Sequence, residues 1–306
     1  MISIESWSAR GRSISTPDGQ IWALERGAAG DPNRAPVLVL HGFPTSSWDF
    51  ASAIDRIAES RRVITFDFLG YGLSDKPRDF GASLFEQADV AQLVARAFGV
   101  THAHVWAHDM GTSVATELCA RRERGLLPFT MKSLALMNGS VHIELAHLTF
   151  GQHILKSPLG PLFAKLTNGI SFKAQMKRVF AHPPSEAELD AMWQLVVRAD
   201  GPAVLPALIR YTEERSRFRR RWIGALERLD FPALVAWGAK DPVAVMAIAD
   251  ALAAEIPSCE RVTWDDLGHY PQVEDPARVV RSVSDFWESV EARKLVATER
   301  SGSRSS

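Results

Sequence analysis

Short apolar runs alternate with longer amphipathic stretches along most of the chain. Residues 35–42, "APVLVLHG", form an apolar run that stops at a glycine, as buried parallel strands do. Helical periodicity follows over 46–60, and "RRVITFDF" (61–68) reads as the next strand. "SLFEQADVAQLVARAFG" (83–99) reads as an amphipathic helix with Ser83 and Glu86 at capping-box spacing. A strand at 103–107, a helix at 112–122 and a strand at 132–137 continue the series. After an interruption it resumes with a strand at 232–238, a helix at 243–255, a strand at 260–266 and a helix at 276–292. Upstream, "ISIESWSARGRSIS" and "GQIWALERG" read as two antiparallel strands joined by a turn at Thr16, Pro17, Asp18 and Gly19. The pattern predicts an α/β fold: a mostly parallel central sheet with helices on both faces.

The interruption, residues 141–222, has no clear buried strand. It is helical in period, rich in Phe, Met and Trp, and carries Pro158, Pro161, Pro183 and Pro184. A complete α/β alternation resumes after it, so it reads as a helical cap inserted into a core domain of 1–140 and 223–295. A few extra core helices are the alternative. The polar residues 296–306 are expected to be a disordered tail.

Composition narrows the picture. A length of 306 residues suits one α/β domain with an insertion, or two small domains, and 46% hydrophobic residues allow a large core. With Lys+Arg at 35 and Asp+Glu at 36, a nucleic-acid partner is not indicated. Two cysteines, Cys119 and Cys259, fit a reducing compartment, and the expected location is cytoplasmic. The first residues lack the apolar core of a signal peptide, and no uncharged apolar run nears the ~18 residues that span a bilayer. No cluster suggests a metal, so no metal or cofactor is expected. Oligomeric state is left open.

The candidate chemistry centres on "HVWAHDMGTSVA" (104–115). Asp109 falls just past a strand and just before a helix, where parallel sheets place reactive groups. Ala107 and Gly111 flank it at −2 and +2, small enough for a sharp strand-turn-helix. Such a turn exposes the Asp109 side chain and aims the Met110 N–H at an oxyanion. Two other readings stand: Asp109 as a helix N-cap, or Ser113 as the nucleophile within Gly111-Thr-Ser-Val-Ala115. The serine reading requires the strand to run through poor strand material and cuts a well-patterned helix.

A carboxylate nucleophile forms an ester that water must break, which calls for a base. "DDLGHYP" places His269 after the last strand, and "WGAKDPV" places Asp241 after the preceding one. Asp241 is suited to hold one ring nitrogen of His269; Asp265 and Asp266 are rival acids that precede it closely. "HGFPTSSW" (41–48) follows the first strand of the alternating series. Its turn is expected to aim the Phe43 N–H at the same oxyanion, with Pro44 a candidate cis residue.

Taken together, "HGFP", "FDFLGYGLSDKP", "AHDMG", "WGAKDPV" and "LGHYPQVEDP" resemble the epoxide hydrolase and haloalkane dehalogenase branch of the α/β-hydrolase superfamily, over roughly residues 15–292. Within it the chain looks closest to the mesoderm-specific transcript protein group, on "DFLGYGLSDKPR", "MKSLALMNGS", "FRRRWIGAL" and "HYPQVEDP". The resemblance implies an inserted cap and an Asp109, Asp241, His269 triad, a chain order that α/β-hydrolases share.

The branch divides by its pocket. Dehalogenases need N–H donors for a departing halide, and the familiar donor positions here hold Met110 and Phe43; Trp193 or Trp222 are the remaining candidates. Epoxide hydrolases use cap tyrosines to protonate the leaving oxygen. Tyr211, before an aromatic and basic run, matches the second of these; the first has no match, and His153 is its substitute candidate. The arginines at 215, 217, 219, 220 and 221 spread round a helix and read as solvated or cap-docking. The expected function is hydrolysis of a small apolar epoxide. A haloalkane dehalogenase with an atypical halide site, and a fold kept for binding or regulation, are the alternatives.

Overall fold

The computed structural model describes residues 2–27 and 34–302, with side chains described as far as residue 293. The strands are β1 (Arg12–Thr16), β2 (Gly19–Arg26), β3 (Val37–Leu40), β4 (Val63–Phe66), β5 (His102–His108), β6 (Thr130–Met137), β7 (Ala233–Gly238) and β8 (Cys259–Trp264). They form one sheet in the order β1-β2-β4-β3-β5-β6-β7-β8. β1 and β2 form an antiparallel hairpin, β2 pairs antiparallel with β4, and the rest are parallel. β3, β4 and β7 are buried at every position, which explains their near-continuous apolar sequences; the one polar side chain of β4, Thr65, donates to the Val39 carbonyl.

Helices α1 (Ile4–Ser8), α2 (Ala51–Ile57), α3 (Leu84–Ala97) and α4 (Met110–Glu123) precede β6 or alternate with the strands before it. From β3 the chain crosses through α2 to β4 on one side, then through α3 to β5 on the other. Right-handed crossovers running in opposite directions put α2 and α3 on opposite faces. The reversal at β3 is the switch point where parallel sheets open a crevice at their carboxyl ends.

Between β6 and β7 the regular elements among the described residues are helices, joined by irregular segments: α5 (Phe150–Lys156), α6 (Gly160–Leu166), α7 (Gly169–Lys177), α8 (Glu186–Val197), α9 (Leu205–Leu208), α10 (Tyr211–Arg217) and α11 (Arg219–Glu227). The last of these packs on α4. Then α12 (Met246–Glu255), α13 (Pro271–Glu274) and α14 (Pro276–Gly302) complete the core, with α14 packed against α2.

Ser83 and Glu86 make the expected capping box at the start of α3. Two local expectations change. The segment taken as a strand from residue 2 begins instead with α1, capped by Ser3, whose Trp7 packs on Trp22 with ring centroids 5.3 Å apart. The interval 296–306, expected to be a disordered tail, is helical as far as Gly302; residues 303–306 lie outside the described residues.

Candidate active site

β5 ends and α4 begins at Asp109, whose backbone is bent to φ 48° and ψ −116°. A non-glycine residue there costs roughly 1–3 kcal/mol and persists only where its surroundings enforce it. Three glycines supply the room. A Cβ on Gly111 would lie 2.5 Å from the Leu40 and His41 carbonyl oxygens. One on Gly139 would lie 2.4 Å from Asp109 Cα, and one on Gly42 would lie 2.6 Å from Asp109 Cβ. Thr112 Oγ1 donates to the Asp109 carbonyl at 2.5 Å and ties the corner to the first helical turn.

The Asp109 side chain makes no capping bond to α4. Instead Phe43 N–H donates to its Oδ2 at 2.8 Å. His41 holds that donor turn. Its Nδ1 donates to the Gly42 carbonyl at 2.9 Å, and its Nε2 accepts from Phe68 N–H at 2.9 Å. Burial lowers the His41 pKa, so the ring keeps the neutral tautomer these bonds require. The Phe43–Pro44 peptide is cis. Met110 opens α4, where the first N–H groups have no helical partner.

Asp241 and His269 follow β7 and β8, and His269 Nδ1 bonds Asp241 Oδ2 at 2.6 Å. Asp241 is itself saturated. Its Oδ1 accepts from Val243 N–H at 2.7 Å and Ala244 N–H at 2.9 Å, and its Oδ2 also accepts from Asn138 Nδ2 at 2.8 Å. Burial pulls the His269 pKa down, but the charge and hydrogen bond of Asp241 outweigh it, so the net direction is up. Asp265 and Asp266 are exposed, and Asp266 pairs with Arg278, so neither rival acid serves His269. Beside His269 sits His108, pushed down to about 3 by burial and then by His269. It stays neutral and donates from Nε2 to the His269 carbonyl at 2.7 Å.

Tyr211, the first residue of α10, is buried with its ring 5.9 Å from that of Phe43. Burial, then the charge of Asp109, raises its hydroxyl well above the ordinary range, so it remains a proton donor. One turn on, Arg215 is buried too. Its Nε donates to Ser113 Oγ at 2.8 Å, its Nη2 to the Asp109 carbonyl at 3.3 Å, and its guanidinium lies 4.6 Å from the Tyr211 ring centre. Ser113 is thus fully buried and engaged away from His269. Tyr71 donates its hydroxyl to Met110 Sδ at 3.1 Å, and Tyr270 donates to the Phe43 carbonyl at 3.3 Å. The chain's three tyrosines therefore all border this corner.

A cavity of about 750 Å³, counted to its open mouth, lies between the inserted helices and Phe43, His269 and Tyr270; Asp109 and Tyr211 sit behind these residues and do not line it. Phe43, His269 and Tyr270 form its inner wall; Phe163, Phe172 and Trp193 line it from the helical side. Its polar features include Thr149, Gln152 and Gln175. Such a wall suits an apolar molecule.

The structure brings together Phe43, Met110, Asp109, Asp241, His269 and Tyr211, and it places Trp193 at the cavity wall. Two sequence candidates lie elsewhere. Trp222 is fully buried and spends its indole N–H on Glu117 Oε2 at 2.9 Å. His153 is exposed on α5 and does not line the cavity. Asn138 went unremarked, and Arg215, read with its neighbours as solvated or cap-docking, is instead buried against the corner. Asn138 had a legible signal, its position just past β6; Arg215 was hidden as one of five arginines in a short run.

The family described as alpha/beta hydrolase fold matches residues 35–276. The chain is 43% identical over 277 residues to the Mycobacterium tuberculosis protein named "Putative hydrolase LipZ", covering 90% of this chain and 94% of that protein. It is 34% identical over 295 residues to the human mesoderm-specific transcript homolog protein, covering 93% and 88%. Among solved structures, the haloalkane dehalogenase DbeA of Bradyrhizobium elkani superimposes with a TM-score of 0.78 at 23% identity, covering 92% of this chain and 99% of that one.

Proposed function

This chain is a hydrolase that belongs to the α/β-hydrolase family, and we propose that it opens an apolar epoxide with water through a covalent ester on Asp109. The observation that carries this reading is the 2.8 Å bond from Phe43 N–H to Asp109 Oδ2. One carboxylate oxygen is held by a donor, and the other is left to attack. The held oxygen is also where negative charge develops when the ester is later hydrolysed, so the same donor serves the second step.

In the first step Asp109 Oδ1 attacks the less hindered epoxide carbon. The C–O bond breaks, its electron pair moves to the ring oxygen, and Tyr211 supplies the proton. In the second, His269 Nε2 takes a proton from water, and the resulting hydroxide adds to the Asp109 carboxyl carbon. Charge on Oδ2 is stabilised by the Phe43 and Met110 N–H groups. Collapse expels the diol oxygen, which receives the proton from His269, and the regenerated carboxyl group returns a proton to Tyr211. Asp241 orients His269 and stabilises its cationic form.

Haloalkane cleavage is the second reading. The Trp193 indole at the cavity wall favours it, whereas Trp222 is already committed to Glu117. A His269→Gln variant separates the possibilities. It retains the attacking carboxylate and lacks the base, so the ester accumulates. Intact-protein mass spectrometry is expected to show a gain equal to the whole epoxide, mapping to the peptide that contains Asp109. A gain equal to an alkyl group without halogen assigns the haloalkane reading. No adduct on a folded variant, from a substrate the wild type turns over, overturns the two-step mechanism.

A further inference from the structure

The helices whose inner faces line the cavity have an unusual outer face. Phe150 at the start of α5 is 77% exposed, and Ile170 in the first turn of α7 is 81% exposed. Leu159, Leu162 and Leu166 are exposed as well. Their spacing of three and four residues sets them in one stripe along α6, opposite its buried Gly160 and Ala164. The three helices adjoin one another. A Cβ built on Gly151 of α5 would meet Gln175 of α7 at 2.2 Å and Phe163 of α6 at 3.7 Å. Five of the seven large apolar residues that are exposed among the described residues thus fall within 150–170. Monomers do not ordinarily present apolar side chains in such concentration without use.

Charge accompanies the apolar surface. Residues 145–185 contain no Asp or Glu, in a chain that has 36 of them, and they carry Lys156, Lys165, Lys173, Lys177 and Arg178. Lys173 and Lys177 are paired with Glu186 and Asp190 on the neighbouring α8. Lys156, Lys165 and Arg178 have no carboxylate partner among the described residues. Short helices with apolar side chains outward and unpaired cations beside them match the polarity of a lipid bilayer surface that bears negative charge.

We propose that the outer face of α5, α6 and α7 docks on a bilayer containing anionic lipid. Docking sets one layer of helix between the acyl chains and the cavity, so an apolar molecule dissolved in the membrane has a short route to Phe43 and His269. The docking itself does not depend on the role given to Asp109, and a binding measurement tests it without turnover.

Full-length protein is mixed with vesicles of equal parts phosphatidylcholine and phosphatidylglycerol, and separately with pure phosphatidylcholine vesicles, then floated through a density gradient. Co-flotation is expected with the anionic vesicles and much less with the neutral ones. Raising ionic strength from about 0.1 M to about 1 M shortens the screening length from about 10 Å to about 3 Å and is expected to weaken it. The Phe150→Ser/Ile170→Ser variant is expected to bind about tenfold more weakly or worse. Lys165→Glu is expected to weaken anionic-vesicle binding alone. These are exposed positions, so an unchanged melting temperature identifies a folded variant, and Leu162→Ser/Leu166→Ser provides a second test of the same face. Absence of co-flotation, or equal binding by both apolar double variants, overturns the proposal. So does a dimer in sedimentation that the Phe150→Ser/Ile170→Ser variant dissolves, because a second copy of the chain then covers this face.

Discussion

The Phe43 N–H donates to Asp109 Oδ2 across the switch point of the sheet, joining the end of β3 to the end of β5 at 2.8 Å. The side chain of Ser113, one turn further along α4, is instead turned to Arg215. Asp109→Ala is therefore expected to abolish turnover in a steady-state assay. Ser113→Ala is expected to keep the reaction but to destabilise the fold by about 1–3 kcal/mol, because Arg215 Nε is left buried without its acceptor. Complete loss of activity in a folded Ser113→Ala variant refutes the aspartate assignment.

Gly139 marks how closely the corner is packed. An added Cβ would stand 2.4 Å from Asp109 Cα and carbonyl oxygen, which are backbone atoms with no freedom to swing aside. Gly139→Ala is expected to cost roughly 1–3 kcal/mol in denaturant unfolding, as overpacking does. Activity is expected to fall further than stability, since the displaced atom carries the reacting carboxylate. A variant with wild-type stability and rate shows that the corner tolerates movement.

Tyr211→Phe removes one O–H donor and little volume. With an epoxide the expected loss in kcat is about 10²-fold, within the usual range for positioned acid catalysis. With a haloalkane the rate is expected to change little, because halide leaves without a proton. Equal effects on both substrates assign Tyr211 a packing role against Phe43 and Arg215.

The pH profile follows from the charge of Asp241 beside His269. A base must be unprotonated to accept a proton, so ester hydrolysis falls as pH drops through the His269 pKa. That pKa is raised above its ordinary 6.5, so the acid limb of kcat is expected above 6.5. Asp241→Asn removes the charge and leaves burial, which acts downward. Its residual activity is expected to show a limb shifted to lower pH, measurable by single-turnover kinetics at a series of pH values.

Arg215 bonds Ser113 through Nε and the Asp109 carbonyl through Nη2 with one planar group. Lysine presents donors from a single point and does not match that fork. Arg215→Lys is expected to lower kcat by about tenfold or more with a smaller change in KM, because the group steadies the corner and does not line the cavity. A kinetic profile identical to wild type shows that the charge alone suffices.

The sequence by itself determined the elements whose signals are local. Apolar runs marked β3, β4 and β7, which are buried on both faces, and Ser83 with Glu86 marked the start of α3 within one helical turn. Positions just past strand ends pointed to Asp109, Asp241 and His269 as candidates, because a parallel sheet gathers its strand ends along one edge. Where two local signals competed, the reading failed: β-like alternation around Trp7 lost to a one-turn helix capped by Ser3. Only the tertiary structure decided which side of each inserted helix faces inward. Arg215 and Trp222 lie seven residues apart in one basic, aromatic run, yet Arg215 enters the site and Trp222 is held by Glu117 outside it. Helical spacing fixes the angle between two side chains on a regular helix, but here a break after Arg217 and the packing of α11 on α4 reset that angle. What a side chain meets across the fold is set by contacts a hundred residues away, such as those of Arg215 with Ser113 and of Asn138 with Asp241, and no local pattern encodes them.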